Sequence, residues 1–432
     1  METGFDSTTP AVVLKLDHNV MHHGGLGVIR SLGRAGIPVY AVHEHPLAPA
    51  AHSRYLHGRF LWNPHPHEPE QVVDGLIRLA ERIGRPAVLI PTDDAGAILL
   101  AEYGDALRPW FRFSTIASHL PRQLAGKYSL TELCRSLGLP AVEAVLAHRV
   151  AEAEEFVDRV GLPLVVKLAE PWRPAGGFRQ TKPRSTTLVR QRAELAEVFA
   201  RADGAQLMLQ EYLPGGPGHD WFFHGYCDES SVCVPAFTGV KERSYPPHAG
   251  LTSFGRCVPN ERLRTEVTAL LRRVAYRGIM DLDLRYDPRD DRYKLLDFNP
   301  RIGAQFRLFT DSDGLDVVRA AHLDLTGRPV TAGEPVHDRR YVVENYDSLA
   351  ALSYVRRGEL GVRSWLASLR RVDETAWFAA DDLAPFGLMC LRTAWRLVQR
   401  PLTRDRPTAA KGATQPVFRP GRARPLTEPS PA

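Results

Sequence analysis

Two neighbouring strands that carry acidic residues on one face constrain this chain more than any other feature. Within residues 281–303, Asp283 stands between leucines, and Asp297, Asn299 and Arg301 follow at a spacing of two. Side chains alternate along a strand, so the last three share one face. Two carboxylates and an amide oxygen suit Mg²⁺, which completes its shell with water and nucleotide phosphates. The pattern indicates a magnesium site with Arg301 as a fixed cation beside it; a solvated edge strand is the alternative.

Length and composition predict a multidomain cytoplasmic protein. The 432 residues allow two or three domains, and 44% apolar and 24% charged residues are typical of soluble globular proteins. Five cysteines without a CxxC pair argue against a disulfide framework or a zinc site. Residues 1–10 are polar, so no signal peptide is expected, and no run of 18 apolar residues predicts a membrane span. The nearest, residues 383–398, is interrupted by Arg392 and Arg396 and indicates an amphipathic helix.

The positive charge of the chain is concentrated at its end. The net charge is +5, and residues 401–432 hold six Lys and Arg against two acids. The rest of the chain is therefore nearly neutral, which argues against a nucleic-acid partner. A homodimer is left open.

The first 120 residues alternate strands and helices. Short apolar strands at 12–16, 37–42 and 87–91 alternate with helices at 28–35 and 69–83, an order that predicts a doubly wound sheet. The turn at 23–27 is glycine-rich but lacks full GxGxxG spacing, so dinucleotide binding is disfavoured. The turn at 92–96 is a candidate substrate contact, with helix capping as the alternative.

Changes in pattern along the chain divide it into four parts. We expect a Rossmann-like domain at 1–120, an α+β part at 121–330 (smaller subdomain 121–212, larger 213–330), a helical extension at 331–400, and a disordered basic Pro-rich tail at 401–432.

The ordered motifs resemble those of the ATP-grasp superfamily of ATP-dependent ligases. The resemblance covers roughly residues 10–330, and its most specific element is D-F-N-P-R-I-G, beginning at Asp297. The layout is most similar to carboxylate–amine ligases of the D-aspartate ligase type. It implies an ATP-grasp fold preceded by a Rossmann-like domain. It also implies that a carboxylate is activated as an acyl phosphate and that an amine displaces the phosphate, with ATP and one or two Mg²⁺ (or Mn²⁺) as cofactors.

The resemblance also assigns roles to residues. Asp283, Asp297 and Asn299 would hold the metal, and the usual Glu at the central position is here Asp297, which puts the metal count in doubt. Arg301 would stabilise the transferred phosphoryl group, and Lys241 and Arg243 are candidates for the γ-phosphate or the substrate carboxylate. The remaining nucleotide contacts would be Lys127 and Lys167 on the phosphates, Gln210, Glu211, Tyr212 and Leu213 around adenine, and Asp220 or His219 on the ribose.

The loop at 170–184 takes the place of the family's mobile lid, which excludes water from a reactive acyl phosphate. Two other functions stay open: a carboxylase or carbamoyl-phosphate type of enzyme, and a protein that binds ATP without turnover. The expected partners are a small carboxylate and a small amine.

Overall fold

The computed structural model of the chain describes residues 4–64, 67–169, 186–202, 206–216, 218–248, 250–399 and 416–421. Within these residues, no helix is long and apolar enough to cross a membrane.

The N-terminal part is a parallel sheet with helices on both faces. Its central strands are fully buried apolar segments, as expected for a sheet covered on both sides. The first strand lies between the second and the fourth, so the strand order reverses beside it, and such a switch point is where open α/β sheets bind ligands. The elements are β1 (Ala11–Leu14), α1 (His23–Arg34), β2 (Val39–His43), β3 (Leu56–Leu61), α2 (Pro69–Ile83), β4 (Ala87–Pro91), α3 (Asp94–Glu102), α4 (Gly104–Leu107) and β5 (Phe111–Arg112).

The glycine-rich segment expected as a turn is the beginning of helix α1. A side chain at Gly27 would place its Cβ 2.7 Å from Phe306, and one at Gly24 would lie 3.2 Å from the backbone of Ala304. The glycines therefore let the segment after the last acidic strand pack directly on α1. This contact brings the N-terminal part against the predicted metal site.

Helices α5 (Leu120–Ala125) and α6 (Lys127–Ser136) precede the smaller subdomain and pack on the core of the larger subdomain, which includes Leu120, Leu124 and Leu130. The smaller subdomain is a four-stranded antiparallel sheet with two helices, and its separate apolar core includes Phe156, Leu164 and Leu209. Its elements are β6 (Ala144–Ala147), α7 (Val150–Val160), β7 (Leu164–Leu168), β8 (Thr186–Val189), α8 (Ala193–Ala202) and β9 (Leu207–Glu211), and the strand order is β6-β9-β7-β8.

The larger subdomain is built on a seven-stranded sheet with the order β14-β13-β10-β11-β12-β15-β16. The last two of these strands come from the C-terminal extension, so the segment expected to be helical also completes this sheet. The elements are β10 (Asp220–Cys227), β11 (Cys233–Tyr245), β12 (Leu251–Cys257), α9 (Glu261–Arg273), β13 (Gly278–Asp287), β14 (Arg292–Asn299), α10 (Val317–Leu325), β15 (Arg340–Val342), α11 (Glu344–Arg356), α12 (Val362–Leu369), β16 (Glu374–Thr375) and α13 (Leu383–Gln399).

Part of the tail that was expected to be disordered forms a strand, β17 (Val417–Pro420). It pairs antiparallel with β3 at the edge of the N-terminal sheet. The centre of the Phe418 ring lies 5.4 Å from that of the Phe60 ring, and Phe418 also packs beside Tyr40. Residue 58 is a glycine, and any larger residue there would collide with Phe418. The prediction is therefore wrong for this segment, because a distant sheet edge supplies the apolar contacts that the local sequence lacks.

Candidate active site

The adjacent strands β13 and β14 bring the acidic residues together. In their antiparallel register Asp283 lies opposite Asp297, and Asp281 lies opposite Asn299. The other face of the pair, including Leu282 and Phe298, is buried in the core of the larger subdomain. The apolar residues thus fix which face of the sheet the polar residues occupy.

The carboxylates fit a divalent cation. Burial raises the pKa of Asp283, aided by the nearby charges of Asp281 and Asp297 and opposed by Lys241. Its Oδ1 atom is buried and accepts no hydrogen bond, so it is free to bind a cation. Among the described residues, no group of three or more His, Cys, Asp or Glu side chains could hold a metal. The set here is instead two carboxylates and an amide, which suits Mg²⁺ bound partly through phosphate and water.

Three lysines surround these carboxylates. Lys127, the first residue of α6, contacts the carboxylate of Asp297 through its Nζ. Lys241 Nζ lies 3.2 Å from Asp283 Oδ2. Burial, reinforced by the charge of Lys127, lowers the pKa of Lys167 to about 8. Burial alone would raise the pKa of Asp297, but Lys127 and Lys167 hold it below its usual value. Lys127 of α6 and Lys167 of β7 therefore bring two cations to a site whose acids lie on β13 and β14.

Arg301 links the site to the N-terminal part. Its Nη2 donates a 2.7 Å hydrogen bond to Asn299 Oδ1, and its Nη1 lies 3.4 Å from Asp281 Oδ2. Its Nε lies 3.2 Å from Oδ1 of Asp94, at the N-terminus of α3. Arg301 is therefore held by groups from the larger subdomain and from the N-terminal part, and the segment at 92–96 contributes to its position.

The predicted adenine-binding segment lies at the end of β9, beside the same charged face. Glu211 accepts hydrogen bonds from the backbone N–H of Glu143 at 3.1 Å and from Arg289 at 3.2 Å. Arg285, two residues beyond Asp283, donates to the backbone carbonyl of Leu213 at 3.2 Å. The segment after β9 is thus attached to β13, the strand that carries the predicted metal ligand Asp283.

Arg285 also binds Asp220, the first residue of β10, and lies over the aromatic ring of Tyr212. Its Nε donates a 2.6 Å hydrogen bond to Asp220, and its guanidinium carbon lies 6.0 Å from the centre of the Tyr212 ring. Gln210 is buried on β9, and its Oε1 accepts no hydrogen bond. His219 forms an edge contact with Tyr286. The predicted adenine and ribose residues therefore lie together.

Known proteins resemble this chain in sequence and in structure. No family model matches it. A D-aspartate ligase from Enterococcus faecium is 24% identical over 324 residues, which are 71% of this chain and 74% of that one. The N5-carboxyaminoimidazole synthetase from Staphylococcus aureus complexed with ADP has a TM-score of 0.57 at 11% identity, over 82% of this chain and 87% of that one.

A second solved structure has the same fold. The biotin carboxylase domain of the Hydrogenobacter thermophilus 2-oxoglutarate carboxylase, in complex with MgADP, ADP and bicarbonate, has a TM-score of 0.54 at 16% identity, over 77% of this chain and 72% of that one. The chain therefore has the ATP-grasp fold, which confirms the fold class predicted from the sequence. The similarity to a D-aspartate ligase agrees with the predicted resemblance to carboxylate–amine ligases.

One predicted catalytic residue does not reach the site. Arg243 is buried and makes two hydrogen bonds to the Asp347 carboxylate of α11, at 2.8 and 2.9 Å. Its guanidinium carbon also lies 4.0 Å from the centre of the Phe254 ring. Its predicted role on phosphate or substrate is therefore corrected: Arg243 attaches helix α11 to the sheet. A bulge in β11 beside Lys241 separates the surroundings of the two cations.

The sequence did not single out two groups beneath Arg301. His224 of β10 is fully buried, and its Nε2 lies 3.0 Å from Asp281 Oδ1. A side chain at Gly303 would collide with both, at 2.2 Å from the His224 ring and 2.6 Å from the Asp281 carboxylate. The two-residue spacing of Asp281 and Asp283 was a usable signal for the acid, whereas His224 has no local signal. The predicted lid at 170–184 lies outside the described residues.

Proposed function

We propose that this ATP-grasp enzyme joins a small carboxylate to a small amine in an amide bond and releases ADP and phosphate. The observation that carries the proposal is the register of β13 and β14. It places Asp283, Asp297 and Asn299 on one charged face, with Arg301 attached to that face. The 24% identity to a D-aspartate ligase supports amino-acid-like substrates. A cytoplasmic location, where ATP is available, belongs to the same proposal.

Asp283, Asp297 and Asn299 would hold Mg²⁺. The Oδ1 atom of Asp283 supports this role. A buried carboxylate oxygen that accepts no hydrogen bond is energetically costly, and a bound cation would offset that cost. The bound ion would neutralise charge on the phosphate oxygens. Lys127 and Lys241, which contact these carboxylates, would contact the phosphates of the bound nucleotide.

The nucleotide would lie between the two subdomains. Lys127 and Lys167 would contact its phosphates, while the segment from Gln210 to Leu213 would surround adenine and Asp220 or His219 would reach the ribose. The support is the position of this segment beside Arg285, on the same face as Asp283. Phosphoryl transfer gains mostly from positioning and from cations around the equatorial oxygens.

The reaction would proceed in two displacements. A substrate carboxylate oxygen attacks the γ-phosphorus of ATP, and the bond between that phosphorus and the bridging oxygen of the β-phosphate breaks. The products of this step are ADP and an acyl phosphate. The amine nitrogen then attacks the acyl carbon, loses a proton, and expels inorganic phosphate. Arg301 would stabilise the negative charge that develops on the transferred phosphoryl group. Its guanidinium is already fixed in position by contacts with three groups.

The experiment is phosphate release from ATP and Mg²⁺ in the presence of pooled amino acids and small carboxylic acids, with mass detection of products. We expect release that requires two pool members, and an adduct one water lighter than their sum. ATP binding with no release and no adduct in any pool would contradict the proposal and favour a protein that binds ATP without turnover.

A carboxylase is the second candidate, because the H. thermophilus neighbour is in complex with bicarbonate as well as MgADP. In that reaction bicarbonate replaces the organic carboxylate as the group that attacks ATP. Phosphate release that depends on added bicarbonate and needs only one organic substrate would identify it. Release that is unchanged by bicarbonate removal supports the ligase.

A further inference from the structure

A row of three polar side chains runs across strands β10, β13 and β14 beside the predicted metal ligands. In the register of these strands His224 lies opposite Asp281, and Asp281 lies opposite Asn299. The neighbouring row, two positions away, contains Asp283 and Asp297. Side chains at directly opposite positions share a face of the sheet and interact. The first row therefore connects a predicted metal ligand, Asn299, to two groups that no step of the proposed reaction uses.

The carboxylate of Asp281 fixes the orientation of the Asn299 amide. Asn299 Nδ2 donates to the backbone carbonyl of Asp281 at 3.2 Å and to its Oδ2 atom at 3.4 Å. A carboxylate accepts hydrogen bonds and donates none, so the amide nitrogen must face it and the amide oxygen must face away. That oxygen accepts the 2.7 Å hydrogen bond from Arg301 Nη2. Asp281 thus directs toward Arg301 the one amide atom of Asn299 that can bind a cation.

The two oxygens of the Asp281 carboxylate have different partners. Oδ2 lies 3.4 Å from Arg301 Nη1 as well as 3.4 Å from Asn299 Nδ2. Oδ1 lies 3.0 Å from Nε2 of His224. The imidazole therefore holds one oxygen and leaves the other to orient the two residues that would act on the metal and on the phosphoryl group.

The His224 ring is enclosed by the core and has no access to a substrate. The side chain is fully buried, and the ring centres of Phe309 and Phe222 lie 4.8 and 5.9 Å from its own. Gly303, the last residue of the D-F-N-P-R-I-G motif, packs directly on the pair. An added Cβ there would lie 2.2 Å from His224 Cε1 and 2.6 Å from Asp281 Cγ. Any effect of His224 on the reaction must therefore pass through its neighbours.

We propose that His224 is a positioning residue, which acts through Asp281 to orient the metal ligand Asn299 and the catalytic residue Arg301. This role rests on the proposed ligase function and adds to it the groups that hold its site in place. Replacing such a supporting residue behind a metal ligand typically costs about 10- to 100-fold in metal affinity or activity.

Two measurements test this role: the affinity for Mg-ATP by calorimetry and kcat by phosphate release. His224→Leu removes the ring nitrogens, and we expect both affinity and kcat to fall by about 10-fold or more. His224→Gln retains an amide nitrogen that can reach Asp281 and should restore most of both. A purely structural role predicts the opposite order, because leucine suits the surrounding aromatic rings better than glutamine does. Thermal unfolding of both variants checks that they are folded.

Tyr226→Phe is the matched control. Tyr226 lies two residues further along β10, and its hydroxyl donates a 2.5 Å hydrogen bond to Asp324 Oδ2. This variant also removes a buried polar contact with a carboxylate, so it should lower the thermal stability. Affinity for Mg-ATP and kcat should stay unchanged, because this hydrogen bond leads to helix α10 and not to Arg301 or Asn299.

A double-mutant cycle tests the route of the effect. Asp281→Asn alone should lower affinity and kcat, and the addition of His224→Leu should lower them little further, because both changes act on one contact. Additive losses would overturn the proposed route, and normal affinity and kcat in the folded His224→Leu variant would overturn the role itself. If His224→Leu does not fold, normal affinity and kcat in Asp281→Asn would overturn it.

Failure of the ligase proposal would be recognised separately. If the unmodified protein binds Mg-ATP but releases no phosphate with any substrate pool, the ligase proposal falls, and the calorimetric comparison of the variants still decides the role of His224. If the unmodified protein does not bind Mg-ATP, both proposals are overturned.

Discussion

Arg301 shows how a single side chain in this enzyme depends on three parts of the chain. Asn299 ends β14, two residues before Arg301, Asp281 lies on the neighbouring strand β13, and Asp94 begins helix α3 of the N-terminal part. A planar guanidinium presents five donors in a fixed fork, whereas an ammonium group is a compact point charge on a flexible stem. Its charge and its fixed orientation should therefore both matter for turnover.

Replacing Arg301 with Lys should lower kcat by about 100-fold with little change in the KM for ATP, because a fixed donor for developing charge is lost while the metal ligands remain. Steady-state phosphate release measures both constants. Asn299→Ala is the comparison, and there we expect the KM for Mg-ATP to rise. An unchanged kcat in the Arg301→Lys variant would contradict the role of Arg301.

The buried Lys167 should make nucleotide affinity depend on pH. Its pKa is lowered to about 8, so the free protein holds this charge below pH 8 and loses it as the pH rises through that value. Affinity for Mg-ATP should accordingly fall between pH 7 and pH 9, by at most about tenfold per pH unit. Calorimetric titrations at several pH values measure this affinity. The control is Lys167→Arg, whose affinity for Mg-ATP should not change with pH. A flat profile in the unmodified protein would contradict it.

At the scale of elements, a buried ion pair attaches the C-terminal extension to the central sheet. Arg243 on β11 and Asp347 on α11 are both buried. Arg243→Ala leaves the Asp347 carboxylate without its partner and should reduce the free energy of unfolding by about 3–5 kcal/mol. Thermal unfolding measures the loss, and kcat of the folded enzyme should stay near normal. A large fall in kcat without a change in stability would restore a catalytic role for Arg243.

Helix α1 provides a second test at this scale through two of its glycines. An added methyl group at Gly27 would meet Phe306 at 2.7 Å, so Gly27→Ala should destabilise the protein by about 1–3 kcal/mol. At Gly25 the nearest atoms are 3.6 Å away, and Gly25→Ala should be neutral or stabilising by roughly 0.5–1 kcal/mol. Denaturant unfolding of both variants compares them. Equal effects would show that α1 does not pack closely against the 306 segment.

At the scale of the whole molecule, the parts predicted from the sequence share a core. Ile29 of α1, Phe222 of β10 and Trp377 of the C-terminal extension belong to the same buried apolar cluster. Further clusters lie on the outer side of the N-terminal sheet, on the other face of the larger sheet and in the smaller subdomain. Because the first cluster joins the N-terminal part, the larger subdomain and the extension, these three should unfold together.

Truncation of the chain tests the tail at this scale. Removing residues 416–432 deletes β17 and exposes Tyr40 and Phe60, so the free energy of unfolding should fall by about 1–2 kcal/mol. Ligase kinetics should be unchanged, because β17 lies at the sheet edge opposite to β4 and α3. Removing only residues 422–432 is the control. Equal stability of the two truncated proteins would show that β17 contributes nothing.

Local patterns determined the alternation of strands and helices in the N-terminal part and the strand pair with its charged face. They sufficed because the two-residue period and the apolar residues between the acids record which face is buried. The resemblance to ATP-grasp ligases rested on the order of such motifs along the chain, and the solved structures confirm the fold that it implied.

Only the tertiary structure decided which cation reaches the acids and which does not. Lys241 and Arg243 are two residues apart, yet one contacts Asp283 and the other Asp347, because a bulge and a distant helix separate them. His224 beside Asp281 and β17 beside β3 likewise depend on partners remote in sequence. The sequence by itself determined the chemistry of the strands and the fold class. Long-range packing determined the partners of each charge, because a side chain's neighbours across a sheet leave no local pattern in the sequence.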